Sequence, residues 1–241
     1  MIALSRQSVL RRKMDIIANN LANVNTGGFK SGKMMFIEHL QKNVNIDGSV
    51  GKELTFVRDI ASVRDTTTGP LEKTGNTLDI AIEGEGYFVV QTAEGERYTR
   101  NGRFQLDSQG QLVTLTGNPV LSDAGAPFFF APEENDIIVA GDGTVSTENG
   151  PLGRLRVVRF DNEQAMKATR GGLYQTDEAA VDLERPRVAQ GMVEKSNVEA
   201  VLEITKMIEV SRSYSSISKF IEKEDERIKK MVREMASPLA A

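Results

Sequence analysis

Apolar residues recur along this chain in two different rhythms. Near the N-terminus, Leu10, Met14, Ile17, Leu21 and Val24 follow alternating steps of four and three. Near the C-terminus, Met207, Val210, Tyr214, Ile217, Ile221, Ile228, Met231 and Met235 keep the same register, with Glu224 the one polar residue on that seam. A step averaging about 3.5 residues marks helices that pack along their length. It predicts a helix over Ala3–Val24, ended by Asn25-Thr26-Gly27-Gly28, and a second from about Asn197 to Met235, closed by Ser237-Pro238. Ser196 and Glu199 have the spacing of a capping box at the start of the second helix. Asp225/Lys229 and Glu226/Lys230 add i,i+4 charge pairs in the favourable order. Such stripes need burial, in each other or in other copies of the chain.

Between the seams the rhythm shortens. Leu78–Ile82, Tyr87–Gln91, Arg97–Arg100, Gln111–Thr114, Asp136–Ala140 and Leu155–Phe160 are short runs rich in β-branched and aromatic residues. Glu83-Gly84-Glu85-Gly86, Asp107-Ser108-Gln109-Gly110 and Gly141-Asp142-Gly143 separate some of them with turn chemistry. The pattern predicts antiparallel hairpins, starting at Thr66 and ending around Pro186. The fold class is therefore mixed α and β. Terminal helices form a coiled-coil-like helical domain, and an all-β domain is inserted between them. The expected boundaries are 1–28 for the N-terminal helix, 29–65 for a connector, 66–189 for the β domain and 190–241 for the C-terminal helix. Lys30–Leu40 reads as a short helix within the connector.

Composition narrows the function. The 241 residues are 39% apolar and 27% charged, with a net charge of −4 and both signs interspersed. That balance argues against a nucleic-acid partner, which usually needs a basic face to neutralise its phosphates. No stretch approaches the roughly 20 apolar residues of a membrane-spanning helix. The basic start is followed by Ile16-Ile17-Ala18 and then Asn19-Asn20, too short an apolar core for a secretory signal. With one histidine, His39, and no cysteine, a nucleophile–base arrangement has a single candidate base. Gly141-Asp142-Gly143 lacks the other ligands of a calcium loop. No enzyme, metal site or cofactor is expected. The asparagines at 19, 20, 23 and 25 are poor helix formers. Their density favours amides that bond across a helix–helix contact over simple fraying.

Three separated segments carry a resemblance. "MDIIANNLANVNTGGFK" (Met14–Lys30), "TGNTLDIAIEGEGYFVV" with "YTRNGRF" (Thr74–Val90 and Tyr98–Phe104), and "QGMVEKSNVEAVLEITKMIEVSRSY" (Gln190–Tyr214) resemble, in that order, motifs of the flagellar axial proteins, the bacterial rod, hook and hook-filament junction subunits. "LSRQSVLRRKMD" (Leu4–Asp15) is most similar to the proximal-rod type. The resemblance implies a structural subunit of the flagellar basal-body rod that polymerises through its terminal helices, as part of the drive shaft for motility. It implies export without a cleavable signal through the flagellum's own type III apparatus, and a final place in the rod across the periplasmic space. The implied partners are other rod subunits, further copies of itself and the export apparatus. No cofactor, nucleic acid or small-molecule substrate is implied. The assembly interface is expected at Leu10, Met14, Ile17, Asn20, Leu21, Asn23, Val24, Met207, Val210, Tyr214, Ile217, Ile221 and Ile228. Phe36 and Leu40, four apart, resemble a short export-recognition segment. The alternatives are a distal-rod subunit of the same family and a secreted β-rich binding module with coiled-coil termini.

Overall fold

In the computed structural model, residues 2–39, 56–132, 134 and 136–236 are described. The chain divides into two compact units. One is drawn from Met1–Ala22, Gly32–Val63 and Glu199–Ala241, the other from Asn23–Ser31 and Arg64–Val198.

In the first unit the two seams form helices, α1 (Ile2–Ala22) and α2 (Ala200–Ala236). The segment expected as a short helix at Lys30–Leu40 is instead strand β1 (Gly32–His39), paired with β2 (Phe56–Arg64). Met34-Met35-Phe36-Ile37 is an unbroken apolar run. Periodicity alone cannot assign such a run, and the partner strand decides it.

Helix α2 starts three residues later than the capping box suggests. The Ser196 hydroxyl accepts from the Val198 amide at 3.3 Å. The Asn197 side chain is bonded to Ser31, Asp65 and Thr67. Ser196–Val198 therefore stay in the β-rich unit, and the spacing that suggested a cap serves a loop.

The β-rich unit contains β3 (Leu71–Lys73), β4 (Ile80–Ile82), β5 (Tyr87–Thr92), β6 (Gly95–Thr99), β7 (Phe104–Leu106), β8 (Leu112–Thr114), β9 (Ile138–Val139), β10 (Thr144–Thr147), β11 (Gly150–Arg154), β12 (Val157–Arg159), β13 (Lys167–Ala168), β14 (Leu173–Gln175), β15 (Val181–Asp182), β16 (Val188–Gln190) and β17 (Met192–Glu194). Six strands form one antiparallel sheet in the order β13-β14-β6-β5-β12-β15. A three-stranded sheet, β11-β10-β9, and the pairs β16-β4, β17-β3 and β7-β8 complete the unit. Each expected β run from Leu78 to Phe160 contains or adjoins one of these strands. The β pairing also continues past Pro186, where it was expected to end. β16 and β17, separated by Gly191, lie against β4 and β3. Three-residue strands whose partners are far upstream leave no local period to read.

β5 shows how the core is built. Its run Tyr87-Phe88-Val89-Val90 is buried on both faces. Phe88 and Val90 enter a cluster with Ile80, Ile82, Phe104 and Leu112. Tyr87 and Val89 enter a second with Tyr98, Phe160, Met166 and Tyr174. Alternate side chains of a strand point to opposite faces, so an uninterrupted apolar run marks a strand covered on both. In the second cluster, Tyr98 meets Phe160 edge-on with ring centres 4.7 Å apart.

Candidate assembly site

α1 and α2 lie against each other. Gln7 donates to Ser218 at 3.1 Å, and Asn20 donates to Glu203 at 3.1 Å, so the helices run antiparallel. Ile17 and Val210 are buried in this unit, while Leu10, Met14, Leu21, Met207, Tyr214, Ile217 and Ile221 are half-buried. On α2 the covered positions include Glu203, Met207, Val210, Tyr214, Ile217, Ile221 and Glu224, which follow steps of four and three, and Ala200, Lys206 and Ser218 beside them. The 21 residues of α1 span about 32 Å and the 37 of α2 about 56 Å. α2 therefore outruns its partner. Every residue from 225 to 233 is exposed, and Ile228, Met231 and Val232 each show about half their surface.

Asn20 is 2% exposed and fully engaged. Its amide oxygen accepts from the Gly32 amide at 2.8 Å, and its nitrogen donates to the Gly32 carbonyl at 2.9 Å as well as to Glu203. Lys206 holds the other Glu203 oxygen at 2.7 Å. One polar side chain thus fixes both the register of α1 on α2 and the start of β1. Asn23 and Val24 fall beyond α1, in the turn of the β-rich unit, where the Asn23 side chain accepts from the Thr26 hydroxyl at 3.2 Å. Phe36 lies in β1, and Leu40 lies outside the described residues. Of the charge pairs expected on α2, Asp225–Lys229 forms at 2.6 Å, and Glu224 pairs with Arg227 at 2.8 Å.

A second polar cluster, in the β-rich unit, was not anticipated. The Glu194 carboxylate is buried and accepts from Lys30 at 2.7 Å, from Arg100 Nε at 2.5 Å and from the Gly69 amide at 2.9 Å. Arg100 spends its remaining donors on the carbonyls of Ile82, Gly84 and Gly86, and Lys30 also reaches the Thr67 carbonyl. Burial lowers the Lys30 pKa from its ordinary value, and the attraction of Glu194 opposes that shift. Gly28, with φ +67°, passes so close to the Arg100 backbone that a Cβ would sit 2.6 Å from it. Lys30, Arg100 and Glu194 each lie in one of the three separated motifs of the sequence.

Those motifs are the parts of the chain that known families match. The family described as flagella basal body rod protein matches residues 2–30, the flagellar hook protein FlgE/F/G D1 domain matches 81–147, and the flagellar basal body rod FlgEFG protein C-terminal matches 189–234. The chain is 42% identical to the flagellar basal-body rod protein FlgF of Caulobacter vibrioides, over 92% of this chain and 91% of that one. This chain belongs to the flagellar basal-body rod proteins. It is also 33% identical to FlgF of Mesorhizobium japonicum, over 89% of this chain and 88% of the relative. It is 35% identical to the rod protein FlgG of Buchnera aphidicola from Acyrthosiphon pisum, over 90% and 92%. Lys30, Arg100 and Glu194 fall one in each of the three rod-family segments, and the fold brings them into one buried contact.

Proposed function

We propose that this chain, a structural subunit of the flagellar basal-body rod, polymerises through its terminal helices in the proximal rod. The observation that carries the reading is the unequal helix pair. The covered seam of α2 ends at Glu224, and the same four-three spacing continues through the exposed Ile228 and Met231. An apolar seam of that length is stabilised by a further helix, and copies of this chain or other rod subunits supply one. The interface comprises the seam residues Leu10, Met14, Ile17, Leu21, Met207, Val210, Tyr214, Ile217, Ile221 and Ile228, with Asn20 setting register. The helices form a coiled-coil-like domain into which the β-rich unit is inserted. The work is mechanical and requires no cofactor or turnover.

The FlgF relatives support the proximal position, and the FlgG relative at comparable coverage supports a distal-rod subunit as the second reading. Cross-linking in purified basal bodies separates the two. Neighbours drawn only from the rod are expected, and direct contact with the hook base would establish the distal reading instead. We further infer export through the type III apparatus, without a cleavable signal, to a rod that crosses the periplasmic space. Phe36 and Leu40 are the residues recognised. Replacing both with alanine is expected to hold the folded protein in the cytoplasm, and normal export of that variant removes them from the route.

A further inference from the structure

The chain passes between its two units four times, after residues 22, 31, 63 and 198. Within the β-rich unit, the segments beside the passages after residues 31, 63 and 198 are bonded to one another. The Gly28 amide donates to the Glu194 carbonyl at 2.8 Å, and the Asn197 amide to the Phe29 carbonyl at 3.3 Å. The Ser31 amide donates to the Asn197 side chain at 2.7 Å. The Asp65 amide donates to the Ser31 carbonyl at 2.8 Å. The Asn197 side-chain nitrogen Nδ2 then donates to the carbonyls of Asp65 at 2.9 Å and Thr67 at 3.1 Å. Glu194, one turn of chain earlier, holds Lys30 and the Gly69 amide. Two side chains three residues apart thus touch all three segments, 28–31, 65–69 and 194–197.

We propose that Glu194 and Asn197 tie these segments into one cooperative knot, a conformational device that holds or releases together three of the chain's four passages out of the β-rich unit, those after residues 31, 63 and 198. The physical reason is the burial of its charges. Freeing segment 28–31 alone strips Lys30 from Glu194. Freeing 65–69 alone removes the Gly69 amide from Glu194 and the Thr67 carbonyl from Lys30. Freeing 194–197 leaves both Lys30 and Arg100 buried without their carboxylate. A buried charge that loses its partner is strongly unfavourable, so states with one segment free and the others held are penalised. Networks of this kind open as a unit rather than strand by strand.

Hydrogen exchange on the full chain tests this, with Asn197→Ala and Glu194→Gln as variants. In Asn197→Ala, the amides of Gly28 and Gly69, which Asn197 does not touch, are expected to exchange roughly tenfold faster or more. In Glu194→Gln, the amides of Ser31 and Asp65, which Glu194 does not touch, are expected to do the same. The amides of Val89 and Val120, in the core of the unit, keep their protection in both. Effects confined to amides bonded directly to the altered side chain would overturn the proposal. So would equal loss of protection at Val89 and Val120, because the exits would then have no release of their own. If Glu194→Gln does not fold, Lys30→Met, which leaves Glu194 with Arg100 and Gly69, takes its place with the same readout. The measurement is made on the isolated chain and stands whether or not the chain enters a rod.

Discussion

Gly102 has no room for a side chain: a Cβ there would lie 1.6 Å from the Ile80 carbonyl oxygen. Its own carbonyl accepts the Ile80 amide at 2.9 Å, so the backbone cannot withdraw without losing that bond. Gly75, by contrast, has a positive φ, +77°, and a Cβ there would meet nothing within 4 Å. Gly102→Ala is expected to lower stability by about 3 kcal/mol or more, and Gly75→Ala by about 1 kcal/mol. Urea denaturation of the two variants checks the contrast, and equal losses would refute it. Titration offers a second test at this scale. Burial is the chief cause that raises the phenol pKa of Tyr87, Tyr98 and Tyr174 above the ordinary tyrosine value. The unfolded chain sheds these protons near pH 10, while the folded chain keeps them. Their contribution to stability is therefore complete below about pH 10 and is lost as pH rises through their raised folded values. Lys30, shifted downward, acts in the opposite sense. Its contribution is complete above the unfolded lysine value, near pH 10.4, and is lost as pH falls through its folded value. Above about pH 10.5 the tyrosines prevail, so stability should fall with a slope that Tyr87→Phe makes shallower. A flat or rising profile there would contradict the assignment.

At the scale of elements, the helices and the β runs from Leu78 to Phe160 were legible in the sequence, and the strands β1, β2, β16 and β17 were not. Each seam repeats over several turns, so every residue on it carries part of the signal. β16 and β17 have only three residues each and form because β4 and β3 lie beside them. β1 is apolar without a period, and β2 makes it a strand. The buried cluster escaped for a similar reason. Lys30, Arg100 and Glu194 are each unremarkable among their neighbours, and nothing local signals that their charges meet. The seam itself can be tested inside the helix. Ile217 is half-buried, one residue before the Ser218 that bonds Gln7. Ile217→Asp places a charge in an apolar contact and is expected to weaken the α1–α2 pair by roughly 2 kcal/mol. Faster exchange along α1, unchanged protection in β5 and β6, and loss of motility are the expected readings. A motile strain carrying this variant would count against the seam as the assembly surface.

For the whole molecule, the part of α2 beyond Glu224 is where folding and assembly separate. Residues 225–233 are exposed, so Ile228→Gln combined with Met231→Gln should change the stability of the isolated protein by less than about 1 kcal/mol. Incorporation into the rod should nevertheless fail, because the continued seam is gone. Thermal melts of the purified chain and the rod content of basal bodies measure the two effects, and normal incorporation would show that the overhang makes no contact. The sequence by itself determined that helices stand at both ends, that strands lie between them, and which family the chain enters. Those properties rest on local repetition and on motifs written in consecutive residues. Only the tertiary structure decided how far α1 covers α2, that Asn20 serves Gly32 and Glu203 together, and that one carboxylate gathers the remote Lys30 and Arg100. Each of these depends on burial shared by segments far apart in the chain, and burial is settled only when the segments meet.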